Sequence, residues 1–307
     1  DSAAGRIALK FRGGKEARCD LLIAADGIHS RIRHIFLPQV AEKLGKPELK
    51  ESLEPIFSGS RVYRGLVSSE TLSQIWPNHP TLKQPHQYCG KNKHIVTYPV
   101  SRGRYVNVVN FYTDITKEDT PFTGSQIGTA TNKELMDEYD GWEPEVRTLL
   151  SCIPTPSHWS VITLKPFNVW ADDGVFLLGD AAHAMTPHLG AGAGQAIEDG
   201  YVLGQLFGHA QKKGRFEMLS NDIAATYNRL RPPIANFVQA RAKLQARFHE
   251  FNEEGGDMSL VEASSPTHTE TNRLAKLGHG IWEGFHWSRH SFIRKMDKEV
   301  AHALSSA

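Results

Sequence analysis

The chain has 307 residues, long enough for one large domain or two ordinary ones with a real core. Hydrophobic residues make up 40% and charged residues 22%, which is the balance of a soluble globular protein and excludes a disordered one. Its 35 basic and 34 acidic residues leave a net charge of +1, which gives no field to gather nucleic acid or anionic lipid, and no apolar run is long enough to span a membrane.

Arg6 to Phe11 alternates polar and apolar side chains as a half-buried strand does, and Gly13-Gly14 suits a tight hairpin turn. Cys19 to Ala25 then reads as a near-continuous apolar strand ending in Asp26-Gly27, the mark of a parallel sheet covered on both faces. Ser30 caps a short basic helix, Arg31 to Phe36, which stops before Pro38. Residues 39–55 are charged and read as a linker with some helix.

The pattern then changes. Val62 to Val67, Ile95 to Val100 and Tyr105 to Val109 are β-rich, and Ser101 to Arg104 joins the last two as a hairpin. An antiparallel sheet is therefore expected between two α/β segments, broken by a helical stretch near residues 131–150. The parallel-strand pattern returns at Val175 to Leu178, followed by a glycine-rich loop and a helix over about 193–207 whose apolar face is Ala196, Ile197, Tyr201 and Phe207. A long helix from about Asp222 is interrupted at Pro232-Pro233, and an amphipathic tail, Arg273 to Ala307, carries Trp282, Phe285 and Trp287. The expected segments are 1–55, 56–165, 166–252 and 253–307.

Cys19, Cys89 and Cys152 are scattered, with no C-x-x-C pair, so free thiols in a reducing, cytoplasmic setting are expected rather than disulfides or a thiolate metal site. The chain opens Asp1-Ser2-Ala3, without an initiator methionine or targeting pattern, and runs straight into a strand, as a piece of a longer chain would.

The run from Gly179 to Gln195 concentrates the chemistry: a strand end, Asp180, a loop of small residues and a helix start. Ligands of α/β sheets sit beyond the carboxyl ends of strands, where Asp180 can accept hydrogen bonds from a polyol. Gly190, Ala191, Gly192, Ala193 and Gly194 let backbone approach a flat ligand, with helix N-terminal amides that favour negative charge. The plainer reading makes Asp180 a helix cap and the glycines a tight turn. Gln195 holds the third glycine position, so the dinucleotide fingerprint is not met.

The whole Gly179–Gln195 string resembles an internal flavin-binding motif of the FAD-dependent aromatic hydroxylases, most closely their salicylate hydroxylase branch. Cys19 to Arg33, built around Asp26-Gly27, is similar to the family's Asp-Gly motif, and Tyr227-x-x-x-Arg231-Pro232-Pro233 looks like its closing helix. The resemblance covers roughly Arg6 to Phe251 and implies an α/β fold. A partial Rossmann-like FAD-binding domain with a parallel sheet would carry an inserted antiparallel-sheet substrate domain and C-terminal helices. The family's first Gly-rich motif lies outside the chain, so by the resemblance the chain as given is expected to be incomplete and to bind FAD poorly or not at all, and Leu189 stands where relatives often have Gln.

By the same resemblance, FAD is the cofactor, NADH or NADPH the co-substrate, and a small aromatic acid or phenol is hydroxylated with dioxygen through a flavin hydroperoxide. Asp180 would hold ribityl hydroxyls, residues 190–194 would face the pyrimidine edge of the flavin, and Pro187 would abut its reactive side. Asp26 and Gly27 would lie near the pyrophosphate and the nicotinamide path, with Arg31 and Arg33 either supporting NAD(P)H or simply solvated. His188 is the candidate catalytic base toward a phenolic proton, against a merely hydrogen-bonded loop histidine, and His183 reads as structural. From the sheet, Arg64, Tyr98 and Tyr63 are candidates to meet the substrate, with strand alternation leaving open which of Tyr63 and Arg64 points toward it.

Three other readings stay in play. An epoxidase or other monooxygenase of the same fold differs only in pocket residues. A non-catalytic truncated paralogue would follow if the upstream segment is missing. Metal-dependent hydrolysis through Asp180, His183 and His188 has no common ligand spacing behind it, so no metal is expected.

Overall fold

The computed structural model describes residues 7–212 and 220–252, together with Ala301. The aromatic tail expected over 273–307 thus lies, but for Ala301, outside the described residues.

The opening alternation forms an antiparallel pair, β1 (Ile7–Lys10) and β2 (Glu16–Cys19), turned at Gly14 with a φ of +76°. After β3 (Leu22–Ala24) comes α1 (Arg31–Leu44), where the Ser30 hydroxyl accepts the Arg33 amide at 2.9 Å. The helix does not stop before Pro38 but runs through it to a left-handed Gly45 cap. A helix-interior proline costs about 3 kcal/mol. Leu37, Val40 and Ala41 are buried around it, and two large aliphatic side chains at about 1.5–3 kcal/mol each offset that loss. The supposed linker is therefore the second half of α1 and a 3-10 turn over Pro47–Ser52.

The β-rich middle comprises β4 (Ile56–Ser68), α2 (Ser69–Ile75), β5 (His86–Gly90), β6 (Lys93–Val100), β7 (Tyr105–Thr113) and β8 (Thr120–Pro121). It continues through β9 (Ile127–Thr129), α3 (Asn132–Glu138), α4 (Pro144–Ser151) and β10 (Ser157–Thr163). The strands form one sheet in the order β5-β6-β7-β4-β10-β9, with β8 beside β4, and the β5–β6, β6–β7, β4–β7 and β9–β10 pairs are antiparallel. Val67, Ile95, Val106 and Val108 pack on one face against Leu135, Tyr139, Leu149 and Leu150 from α3 and α4. Position 65 lies on that face opposite Val108, and it is glycine because a Cβ there would sit 2.4 Å from Cγ2 of Ile153. The two-residue period puts Val62, Arg64 and Leu66 on the opposite face, opposite Phe111, Val109 and Asn107 of β7.

The chain then returns through β11 (Ala171–Asp172) and β12 (Val175–Leu177), and β12 pairs parallel with β3 from Val175↔Leu22 to Leu177↔Ala24. The α/β architecture with an inserted antiparallel sheet is thereby as expected. Among the described residues, three helices follow: α5 (Asp180–His183), α6 (Gly192–Lys212) and α7 (Ser220–His249). Trp170, Phe176 and Tyr227 form an edge-to-face cluster, with Tyr227 at 6.2 Å from Trp170 and 6.0 Å from Phe176.

Helix α7 is not interrupted at its proline pair. Tyr227, Leu230, Ala235 and Val238 are buried on both sides of it, and Asn228 takes the Trp170 amide at 2.7 Å and donates to the Ala171 carbonyl at 2.7 Å. Side-chain packing holds the register that two missing amides would otherwise release. The inward face of α6 also differs in part from the expected one, which holds at Phe207, packed edge-on to Phe176 at 5.3 Å. Ile197 and Tyr201 are exposed, at 73% and 42%, whereas Gln195, Asp199, Val202, Leu203 and Leu206 are buried. Two polar residues lie inward because they have partners there, as described below.

Packing divides the described chain into two units, residues 7–56 with 163–243 and residues 57–162 with 244–252.

Candidate functional site

Two loops leave the carboxyl ends of the neighbouring parallel strands β3 and β12, the position where α/β sheets bind ligands. On β12 the turn falls at Gly179, with φ +61° and ψ −138°, a conformation for which glycine is suited. Gly179 is the cap and Asp180 the first residue of α5, so Asp180 is not a helix cap. Its side chain is exposed at the strand end.

The loop after α5 passes Thr186, buried, and Pro187, exposed, into a 3-10 turn over Pro187–Leu189. The Gly190 amide closes that turn on the Pro187 carbonyl at 2.9 Å, and Gly190 itself has a φ of +59°. A Cβ added at Gly190 or Gly194 would meet nothing within 4 Å, and one at Gly192 only Met185 at 3.8 Å. Packing therefore does not demand glycine at 192 and 194. Instead they leave bare backbone facing open space where the first-turn amides of α6 have no intrahelical acceptor. His188 is buried within this loop, and Leu189 is half-buried.

Beneath the loop lies a buried charged network that the sequence reading passed over. The Asp199 carboxylate accepts the Gly179 amide at 3.0 Å, His183 Nε2 at 2.7 Å and Arg231 Nε at 2.7 Å. Arg231 also donates to Glu198 at 2.9 Å, to the Gln195 carbonyl at 3.1 Å and to Gln195 Oε1 at 2.9 Å. His183, Asp199 and Arg231 are all fully buried. Burial pushes the Asp199 carboxyl up, but the His183 bond, the charges of His183 and Arg231 and the Gly179 amide together hold it below its usual range. The available signal was Asp199 itself, an acid spaced four and seven residues from the inward Leu203 and Leu206. His183, read as structural, belongs to this network. Asp180, His183 and His188 do not form a ligand cluster among the described residues.

On β3 the Asp26 carboxylate is taken up locally, accepting the Ser30 hydroxyl at 2.5 Å, the Arg31 amide at 2.8 Å and the Ile32 amide at 3.3 Å. It secures the N-terminus of α1, while Gly27 makes the preceding turn at φ +80°. Arg31 is exposed, but Arg33 is fully buried and is not a solvated helix charge. It donates to the carbonyls of Ala181 and Leu53 at 3.1 Å each and to that of Ile28. Burial lowers its pKa to about 10, against the raising influence of Asp26 and Glu54.

In the sheet unit, alternation separates the candidate pair. Tyr63 lies on the face covered by α3 and α4, packed against that core and 4.9 Å from the His158 ring. Arg64 is exposed on the other face, its Nε donating to Asn107 Oδ1 at 2.8 Å, and Tyr98 pairs with Asn107 across β6 and β7. At the far end of that face, His94 stacks on Phe111 at 4.3 Å and meets Glu250 at 2.9 Å, a carboxylate that also accepts the Thr113 hydroxyl.

Comparison with known proteins fits this geometry. A family model described as an FAD binding domain matches residues 2–242. Salicylate hydroxylase of Pseudomonas putida is 36% identical over 260 residues, 82% of this chain and 57% of that protein. The 6-methylsalicylate 1-monooxygenase atA of Aspergillus terreus is 30% identical over 82% of this chain and 52% of its own length. A solved salicylate hydroxylase substrate complex superposes with a TM-score of 0.80 at 27% identity, covering 98% of this chain and 68% of that one. The chain spans about half the length of the curated relatives it matches.

Proposed function

This chain belongs to the FAD binding domain family, and from that premise we propose that it forms part of a monooxygenase hydroxylating an aromatic acid or phenol with FAD and NADH or NADPH. The observation that carries the reading is the open backbone at Gly190, Gly192 and Gly194, in the loop that follows the exposed Asp180 at the carboxyl end of β12. These residues fit the flavin half of FAD. The Asp180 carboxylate offers acceptors to ribityl hydroxyls, and the α6 amides favour negative charge at the pyrimidine edge of the ring. Pro187, exposed in the same loop, is apolar and rigid where a flat ring would rest.

When bound, FAD supplies the redox chemistry and the activation of dioxygen. The protein's part is placement and proton handling. His188 draws the phenolic proton, which makes the substrate ring electron-rich. Arg64 pairs with a substrate carboxylate while Asn107 steadies its guanidinium, and Tyr98 lies on the same sheet face. Tyr63 lies on the helix-covered face, so of the pair we assign the substrate contact to Arg64. Asp26 and Gly27 contribute through the turn they build, with the Asp26 carboxylate already committed to α1.

The test is a titration with FAD of the purified chain beside a version extended upstream, followed by NADH or NADPH oxidation in the presence of salicylate and of phenol, with product identified by mass. Flavin uptake and substrate-dependent, oxygen-consuming hydroxylation are expected of the extended form. Flavin uptake with no hydroxylated product from any aromatic acid or phenol refutes the substrate class, and the absence of flavin uptake by both forms refutes the whole reading.

A further inference from the structure

The network under the loop links the two halves of the proposed flavin site. On one side, Asp199 holds the amide of Gly179, the residue whose left-handed turn sets the direction of Asp180. The same carboxylate holds His183, the last residue of α5, so the helix begun by Asp180 is tied down at both ends. Arg33 takes the Ala181 carbonyl between them. On the other side, Arg231 of α7 grips the Gln195 backbone and side chain in the first turn of α6, directly after the glycine loop. Asp199 and Arg231 are bonded to each other, so the position of one wall is transmitted to the other through a single buried ion pair.

We propose that His183, Asp199 and Arg231 are positioning residues for the flavin, holding Asp180 and the 190–194 backbone in their binding arrangement before the ligand arrives; this rests on the functional reading above. None of the three is exposed to a ligand. Their effect is preorganisation: a loop already ordered costs less to order on binding, and a turn that loses its tether weakens affinity without losing any ligand contact. An ordinary core charge pair would affect folding stability alone. His183 separates the two cases best. Its removal frees the Asp180 turn, while Asp199 keeps Arg231 and the Gly179 amide as partners, so the buried carboxylate is not stranded.

The experiment measures the FAD dissociation constant by flavin fluorescence, together with the visible spectrum of bound flavin and the melting temperature of the flavin-free protein. It compares the protein extended upstream, unsubstituted, with its His183→Leu, His183→Gln and Leu37→Ala variants. His183→Gln can keep a donor toward Asp199, and Leu37→Ala lowers stability through a buried position on α1. His183→Leu is expected to weaken FAD about tenfold or more and to shift the bound spectrum, with His183→Gln recovering to within about threefold. Leu37→Ala is expected to melt earlier and bind FAD within about threefold of the unsubstituted chain. Should His183→Leu fail to fold, His183→Asn, whose shorter amide falls away from Asp199, takes its place. FAD binding by His183→Leu within about threefold, or weakened only as far as in Leu37→Ala, overturns the proposal. An unsubstituted extended protein that takes up no FAD overturns the functional reading instead, and this one with it.

Discussion

Acid should destabilise the unit containing the antiparallel sheet through one histidine. His249 is buried at the end of α7, and burial, aided by the charge of His94, lowers its pKa from 6.5 to about 3. Gln245 Nε2 lies 2.7 Å from His249 Nε2, and because an amide nitrogen only donates, that ring nitrogen must be the unprotonated acceptor. The folded protein therefore refuses a proton that the unfolded chain takes up below pH 6.5. The resulting stability is whole above pH 6.5 and is lost progressively as pH falls toward 3. Each pH unit in that window removes about 1.4 kcal/mol, so about 5 kcal/mol is at stake across it. That is a large share of the ~5–15 kcal/mol that holds a typical domain together. Urea unfolding followed by circular dichroism at pH 7.5, 6, 5 and 4 measures the slope, with His249→Gln as the comparison. The substituted protein lacks the titrating ring, so its stability should fall less steeply, by about 1 kcal/mol per pH unit between 6 and 4. Parallel lines for the two proteins would refute the assignment of a neutral, proton-refusing His249.

Gly65→Ala forces a methyl into Ile153 and should cost about 1–3 kcal/mol in urea unfolding, whereas Gly194→Ala, with open space above it, should leave stability nearly unchanged. Arg33→Leu leaves the carbonyls of Ile28, Leu53 and Ala181 without their donor and should cost about 3 kcal/mol, read from the same unfolding curves. Asp180→Ala, at an exposed position, should leave the melting temperature in place and weaken FAD about tenfold or more by fluorescence titration. Arg64→Gln should raise KM for an aromatic carboxylate about tenfold or more and leave that for an uncharged phenol within about threefold, the pattern of a lost ion pair.

Much of this protein was legible along the chain, because local signals and the fold agree where apolar periodicity is strong. The runs at 21–25 and 175–178 read as parallel strands and pair as such, and the hairpin at 101–104 stands where its turn residues put it. The glycine loop and Asp180 could be picked out from Gly179–Gln195 because bare backbone and an acid at a strand end are written directly in residue types. The sequence could not show where local preference is overruled. Pro38 and the Pro232-Pro233 pair look like helix ends and are not, since buried neighbours on either side outweigh the lost amide bonds. Tyr63 and Arg64 differ by one position, and only α3 and α4 packing on one face of β4 decides which of them is covered. The charged network was hidden for a related reason. Asp199, His183 and Arg231 are far apart in sequence, each polar and each ordinarily exposed, and what makes them interior is that the fold brings each a partner. Pairing across long separations carries no periodicity, so it is decided by tertiary structure alone.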